Sequence, residues 1–225
     1  LSQMEQPEQQ ELPPLLVDGP PWEKKHETGF FVAFIETVKA FLFHPAKTFS
    51  VMRRVASFGD ALLYTVAIQV FTFLWTFALN GSDPAMLLPQ NPELLEMLDL
   101  PENFSQIMVL IYPISVILLQ FIAAYAFHIS MGWRNLQIYD FRLIFRIFAY
   151  SSGTASLLLI LPLVGGLASI FMTIYIAYIG LRTIYGIELF SFATTSLLAI
   201  VIALGLYVLS AVGITVVILL FSLLI

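Results

Sequence analysis

The chain has 225 residues, 59% apolar and 11% charged, with a net charge of −5 and no cysteine. A water-soluble domain is about 45–50% apolar and about 25% charged, so this chain has too little polar side chain to clothe a soluble surface; a bilayer is the solvent that fits it. The missing cysteine excludes disulfides, thiol nucleophiles and cysteine metal sites, and the acidic balance argues against a nucleic-acid partner.

Residues 1–27 are polar, acidic and rich in proline (Pro7, Pro13, Pro14, Pro20, Pro21), the opposite of a secretory signal. They are expected to form a disordered cytoplasmic tail. Residues 28–58 are expected to form amphipathic interfacial helices. Over 28–43, Phe30, Phe31, Phe34, Ile35, Val38, Phe41 and Leu42 fall within an arc of about 140°, with Glu36, Thr37 and Lys39 opposite. That pattern fits a helix lying in the cytoplasmic membrane interface, or one packed as a hairpin on a membrane bundle. His44-Pro45 ends it, because proline disfavours helix in the residue before it. A second short helix over about 46–57 sets Phe49, Met52 and Val55 on one side and turns Lys47, Arg53 and Arg54 toward headgroups.

Gly59-Asp60 interrupts the pattern, with Asp60 placed to cap the next helix. Residues 60–225 then read as an all-α bundle of five transmembrane spans, at about 61–79, 106–131, 143–161, 163–181 and 196–225. The loop before span two contains a short helix near 92–99. Polar loops occupy 132–142 and 182–195. The turn from Leu161 to Gly166 is tight, and a re-entrant hairpin is the alternative to two full crossings there.

Charge sets the orientation. With the N-terminus inside, the inner segments 1–60, 132–146 and 182–195 hold all ten Lys and Arg residues, while the outer loop 81–105 holds Asp83, Glu93, Glu96, Asp99 and Glu102 and no base. Five spans put the C-terminus outside. The brief tail and compact loops suggest a bacterial protein, so the expected location is a bacterial inner membrane.

The signatures of intramembrane chemistry are missing. There is no HExxH, no GxSxG elbow and no paired carboxylates within a span, and His26, His44 and His128 lack ligand spacing. The expectation is a non-enzymatic protein without metal or cofactor. Polar seams are present instead. Thr65, Gln69, Thr72 and Thr76 lie on one helix face at i, i+4, i+7, i+11, and Gln120, Ala124 and His128 share a face of span two. In span three Ser151/Ala155 and Ser152/Ser156 are small-xxx-small pairs. Such residues serve as packing and hydrogen-bonding contacts between helices, or as the wall of a hydrated path.

Three segments together resemble the core of the Yip1 domain: Ile147-Phe148-Ala149-Tyr150-Ser151-Ser152, Leu161-Pro162-Leu163-Val164-Gly165, and Tyr178-Ile179-Gly180-Leu181-Arg182. Upstream, Thr37-Val38, His44-Pro45 and Phe49 are similar to the amphipathic stretch before that family's first span. The motif residues are Pro45, Tyr150, Pro162, Gly165 and Gly180, and the resemblance covers about residues 30–215. One departure is that Gly153-Thr154 stands where the family often has proline. The resemblance implies a five-span bundle with a cytoplasmic N-terminus. It also implies a scaffold or adaptor role, since eukaryotic members act in vesicle trafficking and bind Rab-type GTPases through cytoplasmic regions. For this chain the expected partners are the lipid bilayer and a cytoplasmic protein or a second copy, met through Lys47, Arg53, Arg54, Arg134 and Arg182, unless those charges serve only to fix topology. The alternative function is a small channel or transporter component using Thr65, Gln69, Thr72, Thr76, Gln120 and His128. A further one is membrane shaping by the wedge helix alone.

Overall fold

The structure is a computed structural model that describes residues 19–80, 104–161 and 164–222. It is all-helical. A 3-10 turn, Pro21–Lys24, leads through the short α1 (Lys25–Thr28) into α2 (Phe30–Phe43) and α3 (Pro45–Ser50). The long helices follow: α4 (Gly59–Asn80), α5 (Phe104–Trp133), α6 (Phe141–Ser156, continued as a 3-10 turn to Ile160), α7 (Gly165–Tyr185) and α8 (Leu189–Ser222). Four stretches are long and apolar enough to cross a membrane: Ile114–Trp133, Phe141–Ile160, Gly165–Tyr185 and Leu189–Leu209. Gly59–Trp75 is a shorter apolar helix. The protein is membrane-integral by that measure.

The hub is α6. Within its membrane-crossing stretch 67% is buried, against 17% for that of α8. It packs on α4, α5, α7 and α2, while α5 pairs with α8. Small residues let neighbours approach α6 so closely. A methyl group at Gly153 would stand 3.3 Å from the Tyr64 ring, and Ser151, Ser152 and Ser156 each return their hydroxyl to a carbonyl one turn back. The outer faces of the bundle carry exposed apolar side chains such as Leu74, Leu118, Phe171 and Leu204, as hydrocarbon solvent allows.

Several boundaries differ from the sequence reading, each for a physical reason. Residues 19–27, expected as part of a tether, are folded, and Trp22 is fully buried; residues 1–18 lie outside the described residues. The second interfacial helix stops at Ser50, and Val55 is 92% exposed while Met52 is buried. The chain turns there because the Arg53 carbonyl is directed at Arg146. Asp60 sits inside the first turn of α4 instead of capping it; its carboxylate is drawn to Lys25, and the Gly59 N–H donates to the Ser57 hydroxyl at 3.1 Å. The loop expected at 182–195 shrinks to Gly186–Glu188. Gly186, at φ +68°, ends α7 by donating to the Arg182 carbonyl, and the hydroxyls of Thr194 and Thr195 bond back to helix carbonyls. The helix expected near 92–99, the acidic loop around it and Pro162 lie outside the described residues.

α3 lies across α7, and Phe49 fills the notch left by Gly180. A methyl group there would come within 2.7 Å of the Phe49 ring and 2.9 Å of Ile147. Phe49 is itself buried and has nowhere to move. Gly180→Ala is therefore expected to cost about 1–3 kcal/mol. The cost should be partly relieved in the double variant Gly180→Ala, Phe49→Leu, read as unfolding temperature in detergent.

Candidate functional site

The first described residues fold back over one end of the bundle and form a roof with α2 and α3. Trp22 anchors it. Its backbone N–H donates to the Thr37 hydroxyl at 2.7 Å, and its indole N–H donates to the Asp60 carbonyl at 2.7 Å. Its ring meets Phe30 and Tyr64 edge-on, with centroids 5.0 and 5.5 Å away, and the Lys25 ammonium lies 5.3 Å from its centre. Lys25 also pairs with Asp60. Gly19 donates to the Val51 carbonyl at 2.9 Å, which ties the start of the segment to the end of α3.

Trp22 sets the position of Glu23. The Glu23 carboxylate forms an ion pair with Arg146 of α6, both side chains being almost wholly buried. The same carboxylate oxygen accepts a hydrogen bond from the Tyr150 hydroxyl, at 3.2 Å. Arg146 donates a second bond to the Arg53 carbonyl. Tyr150, one turn along α6, stacks on Phe41 at 4.9 Å and leans on Tyr64 at 5.2 Å. Two segments thus reach the α6 guanidinium directly, the N-terminal turn and the chain after α3, while α2 packs on Tyr150 beside it. A buried pair of this kind holds only when both charges keep their partners, because removing one strands the other in a medium of low polarity.

α2 has two apolar edges with different surroundings. Ala33, Thr37 and Phe41 are buried against the bundle, whereas Phe31 and Phe43 are 78% and 71% exposed. Thr37, expected on the polar side, is inside because it receives the Trp22 N–H.

The five basic positions singled out in sequence separate into groups. Lys47 on α3 and Arg182 on α7 are exposed, and the Phe49–Gly180 contact brings their helices together. Arg54 is exposed too and lies across Tyr139, bonded to its hydroxyl at 2.6 Å. The Arg53 side chain is exposed while its carbonyl faces Arg146. Arg134 behaves differently. It is half-buried and turned inward, donating to the Ser191 carbonyl and to the Thr194 and Thr195 hydroxyls, and so clamps the end of α5 to the start of α8.

The polar seam of α4 closes on α6. Thr65 donates to the Ala149 carbonyl at 3.2 Å, Gln69 reaches the Ser156 hydroxyl at 3.3 Å, and Thr72 bonds within its own helix; all three are buried. Tyr64 beside them bonds Thr154 at 2.8 Å. The Thr76 side chain lies outside the described residues. On α5, Gln120 is buried with its amide nitrogen unpaired, and His128 bonds Gln137 at 3.0 Å. Of the family-like positions, Pro45 opens α3 and is buried, Tyr150 is in the clasp, Gly180 receives Phe49, and Gly165 fits against the backbone of Leu158 in the turn before α7.

Sequence reasoning missed Glu23, Trp22 and the inward role of Arg146. One signal was present. Arg146 falls where α6 is otherwise apolar, and a charge in such a helix needs a partner. No protein-family model, curated protein or solved structure matches the chain, and its function is read from its own residues.

Glu23→Ala should strand Arg146 and destabilise the roof by about 3–5 kcal/mol. The expected result is rapid tryptic cleavage at Lys24 and Lys25, with a red-shifted Trp22 emission, while the long helices stay intact. The double variant Glu23→Leu, Arg146→Met should recover much of the protection, since a well-packed apolar pair replaces a buried ionic one with little loss.

Proposed function

We propose that the chain is a non-enzymatic membrane scaffold of the Yip1 type. In this reading α4 also crosses and completes five spans, the N-terminus and the roof face the cytoplasm, and the C-terminus lies outside, in a bacterial inner membrane. The observation that carries it is the roof clasped over Arg146, a folded platform at the end of the bundle where the basic residues gather. A platform held by a buried ion pair keeps a fixed shape, which is what a docking surface needs.

Its outward features suit an anionic membrane surface and an acidic partner. Lys47, Arg54 and Arg182 present charge, and Phe31 and Phe43 on the outer edge of α2 enter the boundary between headgroups and acyl chains. The length of α4 supports its crossing. Its 22 residues extend about 33 Å at 1.5 Å per residue, close to the hydrocarbon thickness. The conduit reading has weaker support, because Thr65, Gln69 and Thr72 spend their hydrogen bonds on α6 and on their own helix.

Two measurements test the proposal. The chain has no cysteine, so single introduced cysteines report topology without background. Ser82→Cys and Ser222→Cys should react with an impermeant maleimide in intact cells, and Val55→Cys only after lysis; the reverse pattern would overturn the orientation, and Ser222→Cys reacting only from inside would remove the fifth span. The double variant Lys47→Gln, Arg182→Gln should weaken retention of anionic lipid or of a crosslinked cytoplasmic partner roughly ten- to thirty-fold, at about 1 kcal/mol per basic group. Unchanged lipid retention, partner recovery and orientation would sink the platform idea.

A further inference from the structure

α7 and α8 follow one another in the chain but share few contacts, and between them the bundle leaves a cleft of about 200 Å3. Phe127 of α5 and Phe148 of α6 form its floor, Ala177 stands on one wall, and Ser196 and Ala199 stand on the other. Ile174 and Ile200, also part of the lining, are exposed at its mouth, so the cleft opens sideways toward lipid.

One side chain in it departs from the local pattern. Thr194 and Thr195, just before Ser196, each return their hydroxyl to a carbonyl of α8, the usual way a helix in hydrocarbon satisfies such a group. Among the described residues Ser196 has no hydrogen-bond partner, although its side chain lines the cleft. Ser196 is seven residues into α8, about 10 Å from the roofed end, near the depth where hydrocarbon gives way to headgroups. Thr173, on the facing wall and also unpartnered, lies about 18 Å from that end.

Lining and exposure select the occupant: the walls are almost entirely apolar and the mouth, flanked by exposed Ile174 and Ile200, faces the acyl chains of the bilayer. Water has too few polar partners between alanine and phenylalanine walls. An alkyl chain is slender and apolar, and the bilayer holds it against the mouth. We propose that the cleft binds one acyl chain of a membrane glycerolipid, with the Ser196 hydroxyl donating to its ester carbonyl and the tail lying between Ala177 and Ala199 over the two phenylalanine rings. The deeper Thr173 is beyond the reach of an ester and provides the comparison position.

The test uses the full chain in phosphatidylcholine vesicles containing a phospholipid with a photoreactive diazirine on its acyl chain, with adducts mapped by mass spectrometry. Adducts should concentrate on residues 173–177 and 196–203. A diester phospholipid should compete at a several-fold lower concentration than its diether analogue, which has no carbonyl. Ser196→Ala should abolish that difference and Thr173→Ala should keep it. Ala199→Phe should lower cleft adducts roughly five-fold while leaving those on the exposed Leu204 and Val208 unchanged; Ala177→Leu replaces it if its unfolding temperature has dropped. Adducts spread evenly over α8 with no response to either filling variant would mean ordinary solvating lipid and would overturn the proposal. So would crosslinks between two copies through the cleft. Equal competition by ester and ether lipid would overturn the role of Ser196.

Discussion

A guanidinium with no exposed surface, set into the central helix of a membrane bundle, is the constraint from which the rest of this structure follows. Arg146 lies near the roofed end of α6 but is wholly buried, and a buried charge left without a partner is strongly destabilising. Arg146 avoids that isolation because three groups reach it: the Glu23 carboxylate, the Arg53 carbonyl and, through Glu23, the Tyr150 hydroxyl. Each delivery shapes a segment. Glu23 is held in place by the burial of Trp22, which in turn needs Thr37, Asp60 and Tyr64 around it. The Arg53 carbonyl is free to turn inward because α3 stops at Ser50.

Aromatic packing makes this polar arrangement rigid. Phe49, Phe41, Tyr150 and Tyr64 form a continuous run of ring contacts from α3 through α2 and α6 to α4. The roof is thus bonded to the bundle by charge at one point and by ring surface along a line. This also explains how α2 serves two environments. Its inner edge belongs to the protein, and Phe31 and Phe43 on its outer edge are left to whatever surrounds the bundle.

The membrane character and the helical class were legible because they depend on local composition: long apolar stretches leave few other folds. Small residues of α6 were also legible as packing positions, and the seam of Thr65 and Gln69 meets α6 by hydrogen bonds of the kind expected between helices. What escaped was non-local or disguised. The Glu23–Arg146 pair joins positions 123 residues apart, and a proline-rich acidic stretch gives no local hint that its last part is folded. Ser191, Thr194 and Thr195 looked like a polar loop, but hydroxyls returned to helix carbonyls or accepting from Arg134 lose their polar character. Arg134 looked like a surface charge because sequence records a charge without its direction.

The separation of the clasp along the chain also has a kinetic meaning. Glu23 is synthesised before any of the long helices, yet its partner lies in α6, so a segment made early is among the last to reach its native contacts. Until α6 is in place, Arg146 has no counter-ion and the N-terminal turn has nothing to close on. Roof closure is then a signal that assembly is complete: a chain whose inner helices have packed wrongly would leave Trp22 and the lysines beside it exposed. Quality-control proteases would meet an exposed roof segment on immature copies and a buried one on finished copies.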